Sequence, residues 1–188
     1  MKLSDADLAR YRHVGHLTVP GVFSAERTAA IVEDIQAWGE QFLAELPADQ
    51  RAWYVDGGVK ARSVLRKLDN PHHHRKAVQE LARDPTLVGL VESIVGPGVS
   101  VYFSQIFFKP PEGGGPKPAH QDNFYFGPND IEGVVTAWID SELVRTTCPI
   151  RFERLGRSPL WKQFASSLLV PSAPAEKITP PAVIFLRR

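Results

Sequence analysis

Ala119-His120-Gln121-Asp122-Asn123-Phe124-Tyr125-Phe126 decides how the rest of this chain is read. Ahead of it runs the aromatic stretch Val101-Tyr102-Phe103-Ser104-Gln105-Ile106-Phe107-Phe108, and behind it Val134-Val135-Thr136-Ala137-Trp138-Ile139. Side chains alternate along an extended segment, so His120 and Asp122 point to one face and a single metal ion can touch both. An imidazole and one carboxylate are two of the three protein ligands of the 2-His-1-carboxylate triad, the arrangement that leaves positions on non-haem Fe(II) open for a co-substrate and O₂. His-x-Asp is a short pattern, and the competing reading is a surface turn with an incidental histidine. The surroundings favour the metal: the pair sits at the entrance to Phe124-Tyr125-Phe126, just after the Gly/Pro connection from Pro110 to Pro118.

Working outward, 188 residues suffice for one domain with a sizeable core, and a 43% hydrophobic content fits a soluble globular protein. A formal net charge of +1 with 23% charged residues carries no bias toward polyanions, which argues against nucleic acid as a partner. The lone cysteine, Cys148, excludes an internal disulfide framework and suits a reducing compartment. No apolar run approaches the about 18 residues of a membrane span, and Met1-Lys2-Leu3-Ser4-Asp5 has no signal-peptide core, so no membrane association and a cytoplasmic location are expected.

Ser4 followed by Asp7 predicts a capped helix to about Arg12, and Gly15 to Val19 a short strand closed by Pro20-Gly21. From Ala25 to about Leu46, Ile31, Ile35, Trp38 and Phe42 recur at helical spacing, which predicts an amphipathic helix packed on the core. Asp49 to Gly58 reads as a loop or weak hairpin anchored by Trp53 and Tyr54, and Ser63 to Leu68 as a strand stopped by Asp69-Asn70-Pro71. His72-His73-His74 suggests a metal cluster, but consecutive side chains do not converge on one ion, and a loop with exposed histidines is the expectation. Asp84-Pro85 opens a helix that buries Leu87, Leu90, Val91 and Ile94 and ends at Gly96-Pro97. Val99 to Phe108 is apolar on both faces, as expected of a central strand, and Gly133 to Ile139 predicts another.

In the order and spacing of several pieces the chain resembles the phytanoyl-CoA dioxygenase family of Fe(II)- and 2-oxoglutarate-dependent oxygenases. The pieces are Leu3 to Leu8, Gly15 to Ser24, Leu65-Arg66-Lys67-Leu68, Lys109-Pro110-Pro111, His120-Gln121-Asp122 with Tyr125-Phe126, and Thr136-Ala137-Trp138-Ile139. The resemblance covers about residues 3–139. It implies a mainly β fold with flanking α-helices, a double-stranded β-helix or jelly roll. It also implies hydroxylation of a small-molecule or acyl substrate with Fe(II) as cofactor and 2-oxoglutarate and O₂ as co-substrates. His120 and Asp122 would be the catalytic metal ligands, and Lys67, Gln121 and Trp138 would bind 2-oxoglutarate. Read from the residues alone, Lys67 is equally a solvated surface lysine, and Trp138 equally plain core packing.

Beyond Ile139 the resemblance fails. No histidine follows His120 to complete the triad, and none of the later arginines sits in a matching motif. Residues 140–188 are rich in Arg, Pro and Ser, with Pro171-Ser172-Ala173-Pro174 and Pro180-Pro181 where strands are wanted. The expected organisation is therefore the N-terminal part of such a domain over 1–139 and a divergent or aberrant tail over 140–188. The jelly roll would be incomplete at its C-terminus and the Val99–Phe108 strand left with an open edge. Such a chain is either a dioxygenase of low turnover or a non-catalytic, truncated or frame-shifted homologue that binds a ligand or partner.

Overall fold

Ser4 begins the first helix, α1 (Asp5–Val14), through a reciprocal cap: its hydroxyl accepts from the Asp7 backbone N–H, while the Asp7 carboxylate accepts from the Ser4 N–H, both at 3.2 Å. Gly15, at φ 88°, stops it in a left-handed conformation that favours glycine. The computed structural model describes residues 1–57, 63–109, 130–139, 148–154 and 177–187.

Strand β1 (His16–Phe23) follows, then α2 (Ala25–Glu45), α3 (Arg51–Tyr54), β2 (Val55–Gly57), β3 (Ser63–Leu65) and β4 (Lys67–Asp69). Three helices come next, α4 (Pro71–His74), α5 (Lys76–Ala82) and α6 (Pro85–Val95). The remaining described strands are β5 (Val99–Lys109), β6 (Val134–Ile139), β7 (Cys148–Arg154) and β8 (Lys177–Arg187). Helices thus make up as much of the described chain as strands do, where a mainly β chain was expected. Six strands form one antiparallel sheet in the order β1-β7-β6-β8-β5-β4, and β2 and β3 form a separate pair.

Register assigns the two faces of the large sheet. Leu17 pairs with Phe152, Phe152 with Ala137, and Ile139 with Ile150, so these side chains share a face. Leu68, paired with Ile106, lies on it too, and all seven are at most 5% exposed. Helices α2, α5 and α6 bring Ile31, Ile35, Val78, Leu81, Leu87 and Leu90 into the same core. Burying each large side chain there is worth roughly 1.5–3 kcal/mol.

Several sequence expectations change here. The tail does not leave β5 open, because β8 pairs along its whole length from Val99↔Arg187 to Lys109↔Lys177. Pro180-Pro181 is accommodated by a bulge: Gln105 pairs with Ala182 and Phe107 with Thr179, so two prolines oppose the single residue Ile106. The ladder from β8 to β6 stops at Ala182, just short of the prolines, whose missing N–H groups would break it. In β1, Pro20 and Gly21 likewise produce a bulge rather than an end, tolerable on an edge strand. A second irregularity in β5, between Val101 and Phe103, turns Tyr102 out to 53% exposure, so that strand is not covered on both faces throughout.

The expected strand Ser63–Leu68 is two strands in two sheets. Arg66 is the crossover: its N–H donates to the Tyr54 carbonyl at 2.7 Å, and its carbonyl accepts from the Phe108 N–H at 3.0 Å. The three histidines are no loop either. Pro71 opens a helical turn in which His74 stacks on Trp38 with ring centroids 5.5 Å apart. His72 turns inward, hydrogen-bonded through Nδ1 to the fully buried Ser104 hydroxyl at 2.6 Å. In α6, Val95 rather than Ile94 completes the buried stripe.

Candidate functional site

The face of the sheet opposite the helices carries different chemistry. Lys67 pairs with Phe107, Asp69 with Gln105, and Gln105 with Ala182, which in turn pairs with Trp138. Lys67, Asp69, Gln105, Phe107 and Trp138 therefore lie together on this face. The rings of Phe107 and Trp138 stack with centroids 6.1 Å apart. Alternation is the local cause: in Lys67-Leu68-Asp69 the middle residue is fully buried under the helices, which turns its two neighbours the other way.

Lys67 is held at this site. Only 8% exposed, its ammonium donates to Asp69 Oδ2 at 3.0 Å and sits 3.8 Å from the centre of the Trp53 ring. The Asp69 carboxylate also accepts from the Gln105 amide and, at 3.4 Å, from Trp53 Nε1. Three elements thus converge on one carboxylate. Burial pushes the Tyr54 hydroxyl above its ordinary pKa, and the Asp69 charge adds to that shift. Trp138 brings the remaining polar group: its Nε1 is buried and has no hydrogen-bond partner among the described residues. An indole N–H so placed is a donor awaiting an acceptor.

Of the five residues singled out in the sequence, Lys67 and Trp138 come together on this face. His120, Gln121 and Asp122 lie outside the described residues. The ends of their segment are nonetheless fixed. Lys109 pairs with Lys177 and Val134 with Leu186, at opposite ends of β8. Among the described residues no group of three or more His, Cys, Asp or Glu side chains is arranged to hold a metal, the three consecutive histidines included. No helix among them is long and apolar enough to cross a membrane. Asp69, Gln105 and Trp53 were not singled out as site residues. The signal available was the polar-apolar-polar alternation of Lys67-Leu68-Asp69, which puts Asp69 beside the lysine.

A buried lysine, an indole donor without a partner among the described residues and an aromatic wall thus share one face of an antiparallel sheet. Solved structures share the fold. Residues covering 98% of this chain superpose on 77% of an EctD crystal structure from S. alaskensis with bound Fe, with a TM-score of 0.72 at 12% identity. The non-heme alpha ketoglutarate dependent carbocyclase SnoK from nogalamycin biosynthesis matches 98% of this chain and 84% of its own, with a TM-score of 0.68 at 14% identity. At these identities the likeness is one of fold. The chain belongs to the phytanoyl-CoA dioxygenase (PhyH) family, whose model matches residues 11–144. A curated relative, the probable alpha-ketoglutarate-dependent hypophosphite dioxygenase of Stutzerimonas stutzeri, is 30% identical over 121 residues, 64% of this chain. The match spans 42% of that relative's length.

Proposed function

We propose that this chain is an Fe(II)- and 2-oxoglutarate-dependent oxygenase that uses O₂ to hydroxylate a small-molecule or acyl substrate. The observation that carries the reading is the placement on one sheet face of Lys67, paired in register with Phe107, and of Trp138, stacked on Phe107 with its indole N–H lacking a partner among the described residues. Both are donors, one charged, and a ligand that carries a carboxylate and a further oxygen acceptor offers each a partner. That donor set fits 2-oxoglutarate. His120 and Asp122, an imidazole and a carboxylate at alternate positions, have the chemistry to ligate Fe(II), and Gln121, between them in sequence, has an amide that can hydrogen-bond 2-oxoglutarate. The iron, when bound, supplies the O₂ chemistry that no side chain can. The chain's own residues bind and orient: Lys67 fixes a carboxylate, Trp138 donates to a ligand oxygen, and Phe107 excludes water beside it.

Within this reading the fold is the jelly roll of the family, with the six-stranded sheet as one of its two layers. Residues 140–188 are a tail of divergent sequence following the family-like part, 1–139. A second reading has one specific observation in its favour: residues 121–188 contain no histidine, so the residues given supply two of the three ligands of the triad. On that reading the chain binds an acid ligand without turning it over.

Anaerobic Fe(II) titration with 2-oxoglutarate separates the possibilities. The expected result is metal binding that weakens at least tenfold in His120→Ala and in Asp122→Ala, because losing a ligand weakens coordination. Equal affinity in all three proteins removes the metal site. Tight binding of both ligands without O₂ consumption selects the non-catalytic reading.

A further inference from the structure

Asp69 is the feature the proposed reaction does not use. It is a carboxylate on the ligand-facing side of the sheet, bonded to the very ammonium that would receive the ligand, with its side chain 20% exposed. Its partners come from three elements: Lys67 beside it in β4, Gln105 in β5 and Trp53 in α3. The Trp53 ring covers another side of the Lys67 ammonium. A lysine has three N–H donors, so one is taken by Asp69 and a further side of the group by an aromatic face. An arriving carboxylate therefore meets a cation whose charge is already offset by a neighbour, and meets the neighbour's own negative charge as well. Burial raises the Tyr54 hydroxyl pKa, and the Asp69 charge at the site wall adds to that shift.

Resting on the 2-oxoglutarate reading, we infer that Asp69 sets the affinity of the site for its acid co-substrate. It is an internal carboxylate that the ligand's carboxylate must displace from Lys67 or share it with. Asp69 is thus a positioning residue for Lys67 and an antagonist of the anion. Its removal tightens binding, the opposite sign from losing a binding residue. Asp69→Asn keeps the side-chain shape and one acceptor: its single amide oxygen, at the Oδ1 position, still accepts from Gln105 Nε2, while the amide nitrogen at the Oδ2 position gives up the contacts from Lys67 and Trp53 Nε1.

The test is anaerobic titration of wild type, Asp69→Asn and Lys67→Met, first with Fe(II) alone and then with 2-oxoglutarate at saturating Fe(II). Asp69→Asn is expected to bind 2-oxoglutarate about tenfold more tightly, the effect of removing one like charge from a partly screened site. Lys67→Met is expected to bind it at least tenfold more weakly. Affinity for Fe(II) alone should change less than about twofold in both, a pattern that a general structural disturbance does not produce. If wild type takes up 2-oxoglutarate and Asp69→Asn binds it equally or less tightly, the role of Asp69 is wrong and the co-substrate reading stands. If wild type binds Fe(II) but no 2-oxoglutarate, that reading falls and the role of Asp69 falls with it.

Discussion

The two faces of the six-stranded sheet are made by alternate residues of the same strands, yet they answer to different constraints. β4 displays the contrast in three residues. Leu68 is fully buried against the helices, whereas Lys67 and Asp69 face the other way and bind each other at 3.0 Å. On the helix side, apart from the hydrogen bond between His72 and Ser104, the partners are apolar and interchangeable in kind, and stability comes from area removed from water. On the open side each group has a specific polar or aromatic partner, and one donor, Trp138 Nε1, has none among the described residues. A fold stabilised from one face leaves the other free to hold groups that chemistry needs and packing does not.

The sharpest way to break this contrast is a neighbouring pair of substitutions. Leu68→Ala should cost about 3 kcal/mol in chemical unfolding, since a fully buried leucine leaves a cavity between rigid neighbours. Lys67→Met keeps the stem and removes only the ammonium, so it should cost about 1–2 kcal/mol, less than Leu68→Ala, while weakening binding of an acid ligand. Asp69 would still accept from Gln105 and Trp53. Comparable losses of stability from the two substitutions would mean that the open face also carries the fold, and the distinction would go.

The helix face was legible in the sequence and much of the open face was not, for a physical reason. Periodicity reports burial, so α2, α6 and the strands β5 and β6 could be read from Ile31, Ile35, Leu87, Leu90 and the run from Val134 to Ile139. Lys67 and Trp138 came through family resemblance, not through alternation. Asp69, read as a strand stop, had only its alternation with Lys67 to mark it, and Trp53, read as a loop anchor, had no local signal, because their remaining partners come from elsewhere in the chain. The contacts joining 53, 69 and 105 are tertiary. Strands β7 and β8 were missed because Pro180-Pro181 and the poor alternation of the tail argue against strands. A bulge opposite Ile106 removes the objection, and no local rule predicts the register that creates it. The break at Arg66 is of the same kind, since one residue gives its N–H to one sheet and its carbonyl to the other.

His72 lies behind the sheet, on the helix side, and it makes the contrast pH-dependent. Burial, with the charges of His73 and His74 adding to it, pulls its pKa down from 6.5 to about 4. The folded protein therefore binds fewer protons than the unfolded chain between those values. Stability from this group is fully present above pH 6.5 and is lost as the pH falls from 6.5 toward 4. The loss should be about 1 kcal/mol once solvent screening at a partly exposed ring is allowed for. Asp84 titrates below this window, because its pKa is lowered from 3.8: burial works against the shift, and the bonds from Arg27 and from the Thr86 and Leu87 backbone outweigh it. Unfolding midpoints measured from pH 7.5 to 4.5 should fall in wild type and stay flatter in His72→Gln. A parallel decline in both would assign the pH dependence to other groups.

The smallest effect tests how closely the helix face is fitted, by adding volume where Leu68→Ala takes it away. Gly39 is buried in the middle of α2, and a Cβ there would stand 3.2 Å from Leu65 Cδ2 and 3.2 Å from Phe108 Cζ. Two terms oppose each other. Alanine is favoured over glycine in a helix interior by up to about 1 kcal/mol. Crowding of this kind costs about 1 kcal/mol or more unless the neighbours yield. Both contacts are with the ends of side chains rather than with backbone, and Phe108 is only partly buried at the margin of the core. Its ring can shift by the few tenths of an ångström required, so Gly39→Ala should change stability by less than about 0.5 kcal/mol. A loss beyond 2 kcal/mol in urea unfolding would mean that α2 is locked to β3 and β5 with no tolerance. The helix layer would then be set by shape as strictly as the open face is set by its polar partners.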